Sequence, residues 1–431
     1  MTYIEKQKEV PVKGEYDVIV VGSGPAGIGA ALGAGRSGVK TLIIENCGSL
    51  GGISTTGLMS HFTGTVGNKI YWEVLNRASK KNKYVTDEYN ITIDPELLKA
   101  TYIEMLEEAG VDILLYTFVC DVIMDENTLK GIICENKGGR CAYMSKVVVD
   151  CTGDGDVAFK SGADFTLGRE SDNKMQPATL MFKIGGVDTE RAVFPPSFET
   201  LVPTEKGELQ ALAKKILPHP AGHVLLYPST LPGIVTCNMT NAINIDGTTA
   251  EGLTKAELEC RKQMEPIINF LREYAPGYEN CFIISAASLI GIRETRHFKG
   301  VKTITENDIL NAKQFEDWVV YGAHFNFDVH NISGAGLDET GCQKHFVQKN
   351  GYTIPYGCLV PEKIDGLLLS GRNISGTHMA HSSYRAMPIC LAIGWAGGVA
   401  AALSVKNATL PRNISPSQIQ QAESTYNFKK I

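Results

Sequence analysis

Residues 17–45, DVIVVGSGPAGIGAALGAGRSGVKTLIIE, decide how the rest of the chain is read. Asp17–Val21 is a short apolar run of buried-strand type. Gly22-Ser23-Gly24-Pro25-Ala26-Gly27 follows, with its glycines at the spacing of a dinucleotide-binding turn. Gly22 permits the tight turn, Gly24 lets a pyrophosphate approach the backbone, and Gly27 lets a helix pack closely on the strand. The helix opening at Pro25 and Ala26 turns free N–H groups and its positive end toward such a phosphate. Ala31 and Gly38 continue the small-residue pattern on the side expected to face a sheet. Thr41–Ile44 is a second strand, and Glu45 at its tip, followed by Asn46, puts a carboxylate where ribose hydroxyls can bind. A GxGxxG alone is weak, but here strand, turn, helix, strand and terminal acid fall in register.

A chain of 431 residues can hold two domains and a large core. Its 43% hydrophobic and 20% charged residues suit an ordinary globular enzyme, and a net charge of −6 opposes nucleic-acid binding through a basic surface. The 11 cysteines form no CxxC pair, which disfavours a disulfide framework, an iron–sulfur cluster or a zinc ribbon; no metal is expected. The odd cysteine count fits a reducing cytoplasm. No secretory h-region stands at the N-terminus. The apolar stretch Ile389–Val405 is short and rich in Gly and Ala, so a buried helix is expected there, not membrane insertion.

Further along, Gly48–Gly57 is a loop dense in glycine and hydroxyls, suited to bringing Gly51, Gly52, Ser54 and Thr55 near a ligand. A helix is predicted over Asn68–Lys81, and another from Pro95, N-capped by Asp94, to Gly110. Val111–Leu115 reads as a strand, and Phe118–Met124, Gly131–Asn136 and Arg140–Val149 as a β-meander. The last of these breaks into Asp150-Cys151-Thr152-Gly153-Asp154-Gly155-Asp156 before a helix, which suits ligand contact at a strand's carboxyl end. From about Thr166 the texture changes, with helices expected over Leu209–Ile216 and Thr254–Tyr274. The expected organisation is therefore 1–165, an inserted α+β cap unit at 166–345, and a return at 346–431. Within the insert, Phe282–Ile290 reads as a buried strand that delivers Arg293, Glu294, Arg296 and His297 at its end. Ile354–Pro361 reads as a strand bounded by prolines, and Gly366–Ser370 as one ending at Gly371-Arg372-Asn373. One long helix is expected from about Ser383 to Ser404, its inner face built from Ala386, Gly394, Gly397 and Ala401.

Taken with GGISTTG, VVVDCTGDGDVA, GIRETRHFKG, IPYGCLVP and LLLSGRNISGTHMAHSSYRAMPICLAIGWAGGVAAAL, the chain resembles the FAD-dependent oxidoreductase family. That family is of the glutathione-reductase structural type and related to fumarate-reductase flavoproteins. The resemblance implies an α/β fold: a Rossmann-like FAD-binding domain with β-meander and an inserted cap. It implies that Gly22, Gly24 and Gly27 take the pyrophosphate and Glu45 the ribose. Gly51, Gly52 and nearby hydroxyls would approach the ribityl and flavin, and Thr152, Gly153 and Asp154 the adenine-side nucleotide. Many such flavoproteins end the late strand in Gly-Asp; here the pair is Gly371-Arg372, so Arg372 or Asn373 stands in for the carboxylate. The N-terminal end of the last helix, near Arg385-Ala386-Met387-Pro388, would point at the flavin's pyrimidine edge and stabilise its reduced, anionic form.

Flavin performs the hydride chemistry, and the protein supplies orientation, electrostatics and a proton. The candidates for the proton are His378 and His381, then His297 and Tyr384. Each histidine can equally serve only to hold the flavin or its loop. Arg293, Arg296 and Arg385 can bind a substrate carboxylate or polarise a carbonyl, or pair with Glu294 or cofactor phosphates. No attachment motif accompanies His61, so the flavin is expected to be non-covalent. No second GxGxxG follows a strand, which argues against a dedicated NAD(P)H domain. The expected activity is hydride transfer between a small organic substrate and FAD. The other electron partner (dioxygen, a quinone, a carrier protein or NAD(P)H) and the oligomeric state stay open. Alternatives are a flavin monooxygenase, a flavin-dependent RNA-modifying protein and a non-catalytic electron carrier.

Overall fold

The central sheet grows out of Val12–Val21, whose last four residues are fully or nearly fully buried, as an apolar strand covered on both faces must be. In the computed structural model, which describes residues 2–3, 7–59, 61–79, 83–87, 90–198, 200–337 and 351–428, this strand lies between two parallel neighbours, Thr41–Ile44 and Gly139–Asp150. Asp112–Leu114 extends the parallel part beyond Thr41–Ile44. On the other side Gly139–Asp150 pairs twice. Its first half pairs antiparallel with Thr128–Asn136, which pairs in turn with Thr117–Asp125. Its last residues pair parallel with Leu367–Leu369. The meander thus peels away where the late strand takes over. The carboxyl ends of four parallel strands, at Val21, Ile44, Asp150 and Leu369, meet along one edge, the usual place for a ligand in such sheets.

Two helices run side by side over this sheet. A Cβ on Gly29 would lie 2.1 Å from Leu391 O, and one on Gly394 or Gly398 would lie 1.9 Å from Ala26 O or Ala30 O. Backbone therefore touches backbone between Pro25–Arg36 and Met387–Lys406. The pairs Ala26/Gly394 and Ala30/Gly398 advance together, so the helices are parallel and their N-termini face the same edge. Met387–Lys406 is long and apolar enough to cross a membrane, yet it is enclosed by the rest of the chain.

A second hydrophobic cluster draws its buried members from Ala178 to Ala287. Leu226–Pro228, Val235–Cys237, Phe182–Gly185 and Phe282–Ala286 form an antiparallel sheet there, beside helices Leu209–Ile216 and Ala250–Tyr274. Residues from Phe298 to Val329 pack instead with the first cluster. The expected boundary at 345/346 lies outside the described residues.

Several expectations change. The predicted long helix is two: His378–Tyr384 and Met387–Lys406, broken at Arg385-Ala386, with Ala386 as N-cap. Pro388 favours this break, because its missing N–H and its ring are accommodated at least cost in a helix's first turn. Phe282–Ala286 is not a buried strand. It is the sheet's edge, with Phe282, Ile283 and Ile284 exposed by 52%, 40% and 47%, and it ends before Arg293 is reached. The run from Ile354 leaves strand geometry at Pro355 for the 3-10 turn Tyr356–Cys358. Gly38 lies beyond the first helix at φ +75°, closing it rather than facing the sheet; Gly29 and Gly33 provide the close contacts. The chain's tail is not peripheral: Glu423 is buried and accepts from Lys69 N at 2.8 Å, and Tyr426 bonds Glu73 and Arg36. The helix at Lys69–Ser79 and the Asp94-capped helix Pro95–Glu108 stand as predicted, except that residues 80–82 lie outside the described part.

Gly394→Ala should therefore cost roughly 2–3 kcal/mol through overpacking against Ala26 O, despite alanine's better helix propensity. Gly38→Ala, with open space around it, should cost only about 1 kcal/mol of left-handed strain. Urea denaturation of both variants checks this; equal costs would remove the helix contact as the critical one.

Candidate functional site

The glycine turn is built by contacts that only glycine allows. Gly22 sits at φ +92°, where a Cβ would meet Cys151 O at 2.5 Å, and a Cβ on Gly27 would meet Gly22 O at 1.9 Å. Over Gly24 a Cβ would find nothing within 4 Å, so the backbone there is open. The helix from Pro25 has no side-chain cap, nor has the helix from Met387. Two sets of first-turn N–H groups thus face the same edge. Glu45 lies at the strand tip, with Oε2 accepting from Ser23 N at 2.9 Å and Ser23 Oγ at 2.6 Å, and Oε1 from Cys47 N at 2.8 Å. Asn46 beside it is exposed.

The loop after Glu45 folds back onto the turn: Gly51 N donates to Ser23 O at 2.9 Å, and a Cβ on Gly52 would stand 3.0 Å from Gly24 Cα. The hydroxyls of Ser54 and Thr55 are spent on the loop's own carbonyls, Gly51 O and Leu50 O. What this loop offers outward is backbone. At the end of Gly139–Asp150, Asp150 accepts from Thr152 N, Thr152 Oγ1 and Ala158 N and so fixes the next turn. Gly153 packs under the Arg372 guanidinium. Asp154 Oδ1 accepts from Arg372 at 2.7 Å and from Thr295 Oγ1 at 2.6 Å. Arg372 is therefore tied to the neighbouring turn, and Asn373 Nδ2 donates to Asp150 O. Gly371, at φ +107°, abuts Ala26.

The six catalytic candidates separate. His297, His378 and His381 gather on Glu294. Glu294 Oε1 is 2.8 Å from His297 Nε2 and 2.6 Å from His378 Nδ1, and the His297 and His381 rings meet edge to face at 4.7 Å. Burial alone would push the Glu294 carboxyl up, but hydrogen bonds from His297 and His378 hold it well below the usual carboxylate range. Burial, then the neighbouring His297, pulls His381 down. Arg296 is engaged by Asp154 O, the Asp156 carboxylate and the Phe159 ring.

Arg293 and Arg385 belong to another group, which the sequence did not signal. Arg293 donates to Pro177 O at 2.6 Å and Thr179 Oγ1 at 2.8 Å. Arg385 pairs with Asp328 Oδ2 at 3.1 Å, and Asp328 also meets His330 Nε2 at 3.3 Å. Phe198 touches the rings of His223 and His330, and Asn238 Nδ2 donates to Tyr227 OH. Burial, then Arg385, brings Arg293 down to about 10. Burial, then Arg293, brings His330 to about 4, and burial with His330 brings His223 to about 3. Asp328 is pushed up by burial but held low by His330 and both arginines. Gln176 joins the two groups. Its N–H donates to Glu294 Oε2 at 3.2 Å, while its Oε1 accepts from Arg385 and from His330 N. The buried atoms Gln176 Nε2, His223 Nδ1, Asn238 Oδ1 and Arg385 Nε have no partner. The only sequence hint was Asp328 and His330 two residues apart on one side of an extended run.

A parallel sheet with a glycine turn, an acid-tipped second strand and two uncapped helix ends is the fold of a flavin dinucleotide-binding protein. The open backbone over Gly24 and the two unshared rows of N–H groups fit an extended FAD. The model of the FAD dependent oxidoreductase family matches residues 17–422, and the chain belongs to that family; FAD is its cofactor. The chain is similar to digeranylgeranylglycerophospholipid reductase 1 of Methanococcoides burtonii, 26% identical over 202 residues, 42% of this chain and 47% of that one. It is also similar to the thiamine thiazole synthase of Methanococcus vannielii, 34% identical over 154 residues, 32% of this chain and 56% of that one. The chain thus spans about half the length of these curated relatives. In fold it is similar to the flavin-dependent brominase Bmp2, with TM-score 0.50 and 14% identity over 95% of this chain and 83% of that one.

His223 and His330 lie buried with their pKa values depressed from 6.5. Below pH 6.5 the unfolded chain takes up protons that these folded imidazoles refuse, so stability falls as pH drops toward 4. Each contributes a loss of about 1.4 kcal/mol per pH unit in that window. Urea midpoints at pH 7 and 5.5 should converge for His330→Asn relative to the parent protein; an unchanged slope would contradict burial of a neutral imidazole.

Proposed function

We propose that the enzyme passes a hydride between a small anionic organic substrate and non-covalently held FAD. One observation carries the substrate's charge. Arg293 and Arg385 face a single carboxylate, Asp328, beside histidines held neutral. The group keeps an excess positive charge that is largely removed from water, and a substrate carboxylate or enolate-like oxygen would balance it. Arg385 stands two residues before Met387, so this group adjoins the N-terminal end of the last helix.

The cofactor contacts follow the cradle. In this reading Gly22, Gly24, Pro25, Ala26 and Gly27 receive the pyrophosphate on backbone N–H groups. Glu45 and Asn46 meet the ribose. The Gly51–Thr55 loop borders the ribityl, and Thr152, Gly153, Asp154, Gly371 and Arg372 enclose the nucleotide between two strand ends. Met387 opens the helix directed at the flavin. When bound, FAD supplies the hydride acceptor or donor. Arg293 and Arg385 seat and orient the substrate anion. His330, held by Asp328, is kept neutral partly by Arg293; a seated anion offsets that charge, so the imidazole becomes able to take a proton once the substrate is in place. His297, His378, His381 and Arg296 act from behind as positioning groups. A reducing, cytoplasmic setting belongs to the same proposal, supported by ten free cysteines among the described residues.

Anaerobic mixing of the holoenzyme with a panel of small carboxylates and matched neutral alcohols tests this: carboxylates should bleach the flavin and neutral analogues should not. Arg385→Met should raise the substrate Kd roughly a hundredfold, about 2.7 kcal/mol for a lost charged partner, with FAD content retained. Bleaching by neutral compounds alone would sink the anion reading. A hydroxylated product from reduced enzyme and dioxygen would favour the monooxygenase alternative.

Glu45→Gln should weaken FAD binding about tenfold, equivalent to about 1.4 kcal/mol, because an amide oxygen replaces a charged acceptor for Ser23 and the ribose. Fluorescence titration of the apoprotein with FAD reads this directly.

A further inference from the structure

Glu294-x-x-His297 and His378-x-x-His381 are two short ligand-type spacings from distant parts of the chain. The fold brings them together. Glu294, His297 and His381 are exposed by only 1%, 4% and 1%, and each offers a donor atom within 4.8 Å of the other two. Around a divalent ion with bonds of about 2.1 Å, adjacent donors stand about 3–3.4 Å apart. The pair Glu294 Oε1 and His297 Nε2, at 2.8 Å, stands just short of that range and needs to open by only a few tenths of an ångström.

Hydrogen bonding within the group leaves it incomplete. His381 Nδ1 is buried and unpartnered, as is His297 Nδ1, the nitrogen of that ring not turned to Glu294. The carboxylate is held from outside: Gln176 N donates to its Oε2, and His378 Nδ1 lies 2.6 Å from its Oε1. Outer partners of this kind orient ligating carboxylates and histidines in metal sites. His378 is itself anchored, its N–H donating to Glu170 Oε1 at 2.9 Å.

We propose that Glu294, His297 and His381 bind one divalent transition-metal ion of the class that prefers imidazole and carboxylate, such as Zn²⁺ or Fe²⁺, with His378 and Gln176 orienting the carboxylate. The ion would clamp the segment after Arg293 to the helix that precedes Arg385. Its role is structural, and it stands apart from the hydride chemistry proposed above. Two imidazoles and one carboxylate form a borderline ligand set, which suits these ions better than Ca²⁺ or Mg²⁺.

The test uses the untagged holoenzyme, produced with added zinc and then gel-filtered. Roughly one zinc per chain should remain by elemental analysis, and zinc-edge X-ray absorption should show two imidazoles and no sulfur. After chelation, Zn²⁺ alone should rebind, and His297→Asn or His381→Asn should weaken that binding by at least about tenfold while flavin absorbance is kept. His378→Asn should weaken it less. Less than about a tenth of an equivalent on the parent protein, with no rebinding, would overturn the proposal. So would sulfur in the absorption spectrum, or full zinc retention in both Asn variants. Should the variants fail to fold, the X-ray absorption of the parent protein decides.

Discussion

The backbone contact between Pro25–Arg36 and Met387–Lys406 governs the arrangement of everything else. Two helices can approach this closely only where side chains vanish, and Gly29, Gly33, Gly394 and Gly398 provide that at alternate points. Parallel alignment is the important consequence. It aims two helix N-termini at one edge of the sheet. An elongated dinucleotide has its charge at two places, the pyrophosphate and the electron-accepting ring. One contact therefore fixes both ends of the cradle at once, and each positive end acts within its first turn, where the dipole is felt.

The side chains around the cradle divide the labour by charge. Near the glycine turn the carboxylates are spoken for by backbone and hydroxyl donors: Glu45 by Ser23 and Cys47, Asp150 by Thr152 and Ala158. They shape turns. Further along, Glu294 is surrounded by three imidazoles and Asp328 by two arginines and a histidine. Around Asp328, where the histidine is neutral and two arginines face one carboxylate, the balance tips to positive, next to the N-terminal end of Met387–Lys406. A cofactor that becomes anionic on reduction and a substrate that arrives as an anion are both favoured by such a field.

What was legible in the sequence was whatever depends on rare backbone permissions. The turn at Gly22–Gly27, the capped start at Asp94-Pro95 and the strand ends at Asp150 and Ser370 all rest on residues that few others can replace there. The exposed edge strand was not legible. Phe282, Ile283 and Ile284 look like core, but an apolar run records only a preference, and burial needs a neighbour that an edge strand lacks on one side. The helix break was legible in principle: Pro388 is costly five residues inside a helix that starts at Ser383 and fits the first turn of a new one. The group around Asp328 was not, because Gln176, His223, Arg293, Asp328 and Arg385 come from five separate segments, and no spacing rule links them.

Gln176 shows why those segments must meet with precision. Its backbone N–H holds one oxygen of Glu294, and its side-chain oxygen receives both Arg385 and the His330 backbone. A single buried residue thus sets the distance between the histidine group and the arginine group. Displacing it would leave an ionised carboxylate short of a donor and an arginine short of an acceptor in the same low-dielectric space, and each deficit costs more than the bond itself contributes. Glu294 also lies next to Arg293 in the chain. Movement of the histidine group would therefore shift the guanidinium proposed to face the substrate. The two groups are distinct in chemistry, yet they share one mechanical frame, and that frame runs through His378–Tyr384 and Arg385 directly into Met387–Lys406, the helix packed against Pro25–Arg36.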